Sequence, residues 1–315
     1  MDIQTKLLIF AIDMIGPLLL GYACKYQQVF NAGFFNKMIL NNILVVCPLV
    51  SFFSFWILPI NSDLLWVPLI SIAMGFLPGG IAYIIAQLKY SDDRERGSYV
   101  MAASLSNFGT IGGICVFLIY GEKGYAYQQI MVLFQYVFMF TCCYPLAQSY
   151  ENRFKKESIK QKISLKAMLF SKNQLAVLGI LLGGVLHYLD VPRPHEINGT
   201  IQILIHFGTW TGLIPVGYSI NFKKIRQYWL SLFDLSIIKF IVTPIIIYFL
   251  SHIVIHDINM LGTILVLSCM PTAVNAVITS RIYNLNVDLN VAAFIVTTLL
   301  FLFIIYPLLF IGLSC

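Results

Sequence analysis

Charged residues are scarce in this chain: they make up only 11% of its 315 residues, whereas apolar residues make up 59%. About a quarter of the residues in a soluble globular domain are charged, so this composition excludes that class. A mean hydropathy of +0.82 indicates instead a polytopic membrane protein. The net charge of +6 is small for so long a chain and gives no reason to expect nucleic acid as a partner.

Sequence signatures of enzymes and of metal sites are also missing. The seven cysteines contain no C-x-x-C pair, and no nucleophile elbow, phosphate-binding loop or clustered carboxylate pair is present. His252 and His256 have the i, i+4 spacing of a metal site, but only Asp257 lies nearby as a third ligand. We therefore predict no enzyme activity, no bound metal and no cofactor.

Long apolar runs, by contrast, are abundant. A helix needs about 20 apolar residues to cross the hydrocarbon core of a bilayer. Ten runs meet this requirement, and the predicted spans 1 to 10 are residues 5–24, 37–58, 64–88, 98–120, 126–148, 173–190, 201–220, 230–253, 260–282 and 290–312.

Basic residues fall mainly on one side of these spans. Of the 20, 16 lie in the loops after spans 1, 3, 5, 7 and 9, three lie on the other side, and Lys239 lies within span 8. Because Lys and Arg accumulate in short cytoplasmic loops, we predict a multi-pass protein of the plasma (inner) membrane with both termini outside. The most basic loop, 151–172, is predicted to be cytoplasmic, where it either contacts anionic lipid headgroups or is simply solvated.

The two halves of the chain resemble each other. Pro48 matches Pro215 at an offset of 167 residues, and Asn107 matches Asn275 at an offset of 168. Because each half contains five spans, an odd number, the second half must insert upside down relative to the first. We therefore predict an all-α fold of ten transmembrane helices arranged as a 5+5 inverted repeat, with residues 1–150 and 173–315 as the two repeats.

Helix breakers interrupt two predicted spans at matching repeat positions. Span 4 contains Asn107, Gly109 and Gly112, and span 9 contains Pro271 and Asn275. Glycine permits non-helical dihedrals and proline removes a backbone donor, so both helices are predicted to unwind near the bilayer midplane. Unwinding would present two half-helix N-termini suited to a carboxylate. The alternative is that the small residues only allow close packing and the asparagines bond between helices.

Asp13, His206 and Lys239 each lie several residues inside a predicted span. A charge at the bilayer centre costs about 2.5–3.5 kcal/mol on insertion scales, so each needs a compensating interaction. Lys239 could attract an anionic substrate or extend its ammonium to the cytoplasmic interface. Asp13 and His206 are candidates for proton coupling, although Asp13 could equally be neutral or paired, and His206 could be a neutral interhelical hydrogen-bond partner.

Several motifs together resemble the auxin efflux carrier family. They are the Gly-Tyr ending of span 1, the Asn36-Lys37 start of span 2 leading into Pro48-Leu-Val-Ser-Phe52, the Asn-x-Gly-x-x-Gly of span 4 and the Met-Pro-Thr-Ala-Val-Asn of span 9. The resemblance covers nearly the whole chain, and the short central loop is similar to that of compact bacterial members named as malate or malonate permeases. It implies a fold of the sodium/bile-acid symporter and sodium/proton antiporter type, with crossing helices 4 and 9.

The resemblance also implies two domains: spans 1, 2, 6 and 7 form a scaffold, and spans 3–5 and 8–10 form a transport domain. Asn107 and Asn275 would face the substrate, with Ser51 approaching from the scaffold. Plant members have a proline at both breaks, whereas span 4 here has only glycines, which leaves the crossover geometry open. The resemblance leaves a homodimer through the scaffold helices open as well.

The sequence thus favours a secondary transporter that moves small organic anions, such as carboxylates, by alternating access. The predicted substrate site consists of Ser51, Asn107, Gly109, Gly112, Lys239, Pro271 and Asn275. A membrane sensor or a channel built on the same helices is the alternative. The particular substrate, the direction of transport and coupling to H⁺ or Na⁺ are left open by the sequence.

Overall fold

The computed structural model describes residues 3–27, 30–58, 62–155, 175–220 and 226–314. In these ranges the chain is helical, and the one β-type contact is an antiparallel bridge between Ser106 and Thr272. Helices long and apolar enough to cross a membrane number five in the described residues: Gly33–Phe55, Val67–Lys89, Phe108–Lys155, Leu230–Val254 and Val287–Leu313. The prediction of an all-α polytopic membrane protein is therefore confirmed.

The helices of the described ranges are numbered in chain order. Their bounds are α1 Ile3–Gln27, α2 32–55, α3 Val67–Lys89, α4 Asp93–Ser104, α5 108–120, α6 122–155, α7 Leu175–Tyr188, α8 Ile197–Ser219, α9 Leu230–Val254, α10 Ile258–Ser268, α11 Val274–Ile282 and α12 287–314. Between α5 and α6 the chain turns sharply at Gly121, whose φ of 63° is one that glycine adopts without strain.

Predicted spans 4 and 9 are each broken into two helices, as the glycines and the proline indicated. The segment between α4 and α5 runs antiparallel to the segment between α10 and α11. The N–H of Asn107 donates to the carbonyl of Pro271 at 2.8 Å, and the N–H of Ala273 donates to the carbonyl of Leu105 at 2.8 Å. These two bonds join the breaks into one structure, which we call the crossover (residues 105–107 and 269–273).

Two helix pairs pack with their backbones almost in contact. In the pair α1–α8, a Cβ added at Gly21 or Gly217 would lie 2.0 or 2.1 Å from a carbonyl oxygen of the partner helix. In the pair α2–α7, a Cβ added at Gly179 or Gly183 would lie 2.3 Å from such an oxygen. Small residues at helix interfaces allow this approach, which replaces side-chain packing by close backbone contact. We call these four helices the glycine-packed pairs.

Candidate functional site

Asn107 lies at the break in span 4 and caps the N-terminus of α5. Its Oδ1 accepts a hydrogen bond from the N–H of Thr110 at 3.4 Å, and the residue is only 6% exposed. Its Nδ2 is buried and has no hydrogen-bond partner within the described part of the chain. Leaving a buried donor unpaired costs about 1–3 kcal/mol, so a group that accepts from this amide is expected at this position.

The N-terminal turns of α5 and α11 meet on the same side of the crossover. Gly109 and Thr110 belong to the first turn of α5, and Val274 and Asn275 to the first turn of α11. The first N–H groups of a helix have no partner inside the helix, and they carry the positive end of its dipole. Two such ends at one place form an environment that attracts an anion.

A cavity of about 290 Å³ lies beside these two turns. Its polar wall is formed by Asn42, Ser106, Asn107, Thr110, Gln129, Gln135, Thr209 and Asn275, and its aromatic wall by Tyr125, Tyr136, Phe140 and Tyr144. Among the described residues that line it there is no Asp, Glu, Lys, Arg or His. A charged ligand in this cavity would therefore be held by neutral donors and by helix N-termini.

Glutamines of α6 support the crossover. Gln135 Nε2 donates to the carbonyl of Ser106 at 2.6 Å, and Gln128 Nε2 donates to the carbonyl of Phe108 at 2.8 Å. The Ser106 carbonyl lies in the break itself, and the Phe108 carbonyl belongs to the first residue of α5, so both glutamines bond to the backbone at the break in span 4. These two residues were missed from the sequence, although amide side chains in an apolar span were a signal, because a polar group in lipid needs a partner.

The chain matches the family model described as membrane transport protein over residues 17–309. It belongs to that family. The curated proteins include an uncharacterized transporter of Methanothermobacter thermautotrophicus that is 25% identical over 295 residues, covering 90% of this chain and 91% of that protein. Membership of the membrane transport protein family supports the resemblance to auxin efflux carriers and indicates a transporter rather than an enzyme.

In this membrane transport protein, the structure brings part of the predicted site together. Asn107, Gly109 and Asn275 line the cavity. The other predicted residues of the crossover have packing or backbone roles: the carbonyl of Pro271 accepts from Asn107, and a Cβ added at Gly112 would lie 2.7 Å from Leu267. Gly112 therefore lets α5 pack closely against α10.

Ser51 approaches the site from α2, but it is fully buried behind the cavity wall. Its hydroxyl donates to Oε1 of Gln129 at 3.2 Å, and Gln129 lines the cavity. Ser51 therefore does not line the cavity itself but orients the side chain of Gln129, which does.

Lys239 does not line the cavity, although Ser106, one of its hydrogen-bond partners, does. It is 2% exposed, and its Nζ donates to Ser106 Oγ at 2.8 Å and to the carbonyl of Ala103 at 3.1 Å. The ammonium thus compensates the carbonyl end of α4, where the helix dipole is negative, and does not extend to the membrane interface. Ser106, which it contacts, directly precedes Asn107 in the chain.

Asp13 and His206, which the sequence offered as separate candidates, form a pair between α1 and α8. Asp13 Oδ2 lies 2.5 Å from His206 Nδ1, and the indole N–H of Trp210 donates to Asp13 Oδ1 at 2.8 Å. Asp13 is thus buried with partners on both oxygens. Neither member of the pair lines the cavity.

His256 and Asp257 lie outside the membrane spans, in the turn before α10. Within the described residues no group of three or more His, Cys, Asp or Glu side chains could hold a metal. The backbone N–H groups of His256 and Asp257 donate instead to Asp63 Oδ2, at 2.7 and 2.8 Å. Burial alone would raise the pKa of Asp63, but these hydrogen bonds outweigh it and hold the pKa below its usual value.

Proposed function

We propose that this protein is a secondary transporter of small organic anions, in particular carboxylates, that works by alternating access. One observation carries the proposal: a cavity of about 290 Å³ at the crossover is lined by the buried amide of Asn107, whose Nδ2 has no partner among the described residues. Membership of the membrane transport protein family supports transport as the activity.

The chemistry of the cavity favours an anion. A carboxylate oxygen can accept from Asn107 Nδ2 and from the free N–H groups in the first turn of α11, beside Asn275. Each helix N-terminus contributes about half a positive charge, so two of them together offset most of one carboxylate charge. Lys239 does not line the cavity, and it acts on the site through its hydrogen bond to Ser106 Oγ.

The same proposal assigns the helices to an inverted repeat. Helices α1 to α6 would form the first repeat and α7 to α12 the second, with α4 and α5 as span 4 and α10 and α11 as span 9. The antiparallel pairing of the two breaks supports this arrangement, because equivalent segments of inverted repeats meet in opposite directions. The glycine-packed pairs would form the scaffold and the other helices the transport domain.

Orientation and coupling complete the proposal. Both termini would lie outside the cytoplasm and the basic loop 151–172 inside it, as the distribution of Lys and Arg predicts. The Asp13–His206 pair stays our candidate for coupling transport to protons, because a carboxylate hydrogen-bonded to an imidazole can exchange a proton between two stable arrangements. The short central loop is typical of the compact bacterial members that the chain resembles.

The test is solute exchange by purified protein. A thermal-shift screen of mono- and dicarboxylates, each paired with its neutral amide, identifies a ligand, and counterflow of that ligand is then measured in proteoliposomes. We expect exchange of labelled carboxylate and none of the amide. Stabilisation without any exchange would indicate a sensor, and flux without counterflow a channel. A chain that neither binds nor exchanges any carboxylate would refute the proposal.

A further inference from the structure

Helices α2 and α6 touch at one end and are separated by the cavity at the other. Ser51, near the end of α2, bonds to Gln129, near the start of α6, at 3.2 Å. Away from this contact both helices line the cavity, through Ile39, Asn42, Tyr136 and Tyr144. The cavity therefore runs along α2 as far as Cys47 and along α6 from Tyr125 onward, and it stops short of Ser51 and Glu122, at the other ends of these helices.

An ion pair lies at the closed end. Glu122 begins α6 and is seven residues, about two helical turns, before Gln129, so both project from the same face of the helix. Arg193 Nη1 donates to Glu122 Oε2 at 2.7 Å and to the carbonyl of Phe53 in α2 at 3.0 Å. The two charged side chains are only 6% and 16% exposed.

The two partners belong to different parts of the molecule. Arg193 lies in the loop between α7 and α8, and that loop is fixed to the end of α2: the indole N–H of Trp56 donates to the carbonyl of Val191 at 2.7 Å. Glu122 belongs to α6, the helix whose glutamines support the crossover. The pair therefore connects a glycine-packed pair, α2–α7, to the helix that holds the crossover.

We propose that the Glu122–Arg193 ion pair is a latch: it closes the cavity on the side of residues 121–123 and 189–196, and it must break for the cavity to open there. The latch rests on the alternating access of the proposed function. A nearly buried ion pair suits this task, because its charges compensate each other while water is excluded and are solvated separately once water enters. Neutralising Arg193 leaves the Glu122 carboxylate buried without this partner, and neutralising Glu122 removes the charge that holds Arg193 to α6, so either change favours the open arrangement.

The test measures access to the cavity through a native thiol. Cys47 of α2 lines the cavity. Protein in proteoliposomes of known orientation is treated with a membrane-impermeant maleimide from the latch side, and labelled Cys47 is quantified by peptide mass spectrometry, so that the other cysteines do not interfere. We expect Glu122→Gln and Arg193→Gln each to raise the rate of labelling by about tenfold, as a shift toward the open state requires.

Lys123 offers a matched control, because it is an exposed charge next to Glu122. Lys123→Gln should label at the wild-type rate. Glu122→Asp keeps the charge but withdraws it by one methylene, and should label faster than wild type even if the neutral variants fold poorly. The latch would be overturned if the folded variants were labelled at the same rate as wild type from the latch side, and also at an unchanged rate from the other side.

The readout separates the latch from the proposed function, because labelling of Cys47 needs no substrate. Latch-dependent labelling in a protein that exchanges no carboxylate would keep the latch and refute the proposed substrate class. If the protein exchanges carboxylate but the Glu122 and Arg193 variants are labelled at the wild-type rate, the latch is refuted and the proposed function is kept.

Discussion

The glycine-packed pairs and the crossover differ in how their backbone N–H and carbonyl groups are accommodated within the membrane. In the pairs, α1 and α8 run as continuous helices in spite of Pro17 and Pro215, and glycines bring their backbones together. In the crossover the helices are broken, and the freed groups are bonded by Gln128, Gln135 and Lys239. The first arrangement depends on close backbone approach. The second depends on individual hydrogen bonds, and within the described ranges it leaves the buried donor Asn107 Nδ2 without a partner.

The largest effect is expected when a side chain is added at a glycine of a glycine-packed pair, which tests whether these helices are in close backbone contact. A Cβ at Gly183 would lie 2.3 Å from the carbonyl oxygen of Phe52, whereas a Cβ at the neighbouring Gly184 would meet nothing within 4 Å. Gly183→Ala should therefore cost about 3 kcal/mol or more of stability, the upper end for overpacking. Thermal unfolding in detergent measures the effect, and Gly184→Ala is the matched control. Equal melting temperatures for the two variants would show that the pairs are not close-packed.

The next largest effect concerns Lys239, which is buried beside the crossover. Lys239→Met removes the donor to Ser106 Oγ and to the carbonyl of Ala103. We expect a loss of about 1–3 kcal/mol of stability for each acceptor left unpaired, together with weaker carboxylate binding. Lys123→Met, at an exposed position, controls for the loss of a positive charge. Unchanged stability, affinity and transport rate in Lys239→Met would show that the ammonium has neither role.

At the cavity wall, function should respond more than stability. Asn275 is half-buried and lines the cavity, so Asn275→Ala should weaken carboxylate binding by about tenfold, near the value of one charge-assisted hydrogen bond, with little change in melting temperature. Asn41→Ala, at an exposed position of α2, is the control and should bind as wild type does. Calorimetric titration compares them. Equal affinities would remove Asn275 from the site.

The smallest effect is a pH dependence outside the membrane. Because the pKa of Asp63 is lower in the folded protein than in the unfolded chain, its contribution to stability is present above the unfolded pKa of about 3.9 and is lost as pH falls through the folded pKa. Asp63→Asn should therefore flatten the acid side of the plot of melting temperature against pH. A variant that keeps the full acid dependence of the wild type would assign that dependence to other carboxylates.

The breaks and the two asparagines were predictable from the sequence because glycine, proline and asparagine act locally. Pro271 cannot donate a backbone hydrogen bond wherever it lies, and a polar residue beside such a break in lipid needs a partner. Asn107 and Asn275 could therefore be proposed for the site from the sequence, and both line the cavity. Ser51 came from the family resemblance, and its position behind Gln129 depends on packing between helices that no local pattern encodes.

Other features depended on contacts between distant residues. The sequence alone did not show that Lys239 would bond to Ser106, 133 residues away, or that Asp13 would meet His206. The start of span 4 was predicted at residue 98, whereas α4 begins at Asp93. The charged residues of its first turn suggested a loop, but the Asp92 side chain accepts from the N–H of Arg94 and caps the helix there.

The measurement that tests the account most directly is a structure of the protein with a bound carboxylate identified by the thermal-shift screen. We predict that the carboxylate lies in the cavity within hydrogen-bonding distance of Asn107 Nδ2 and of the first-turn N–H groups of α11, with α4–α5 and α10–α11 still broken at the crossover. A carboxylate bound away from the crossover, or continuous helices through residues 105–107 and 269–273, would contradict it.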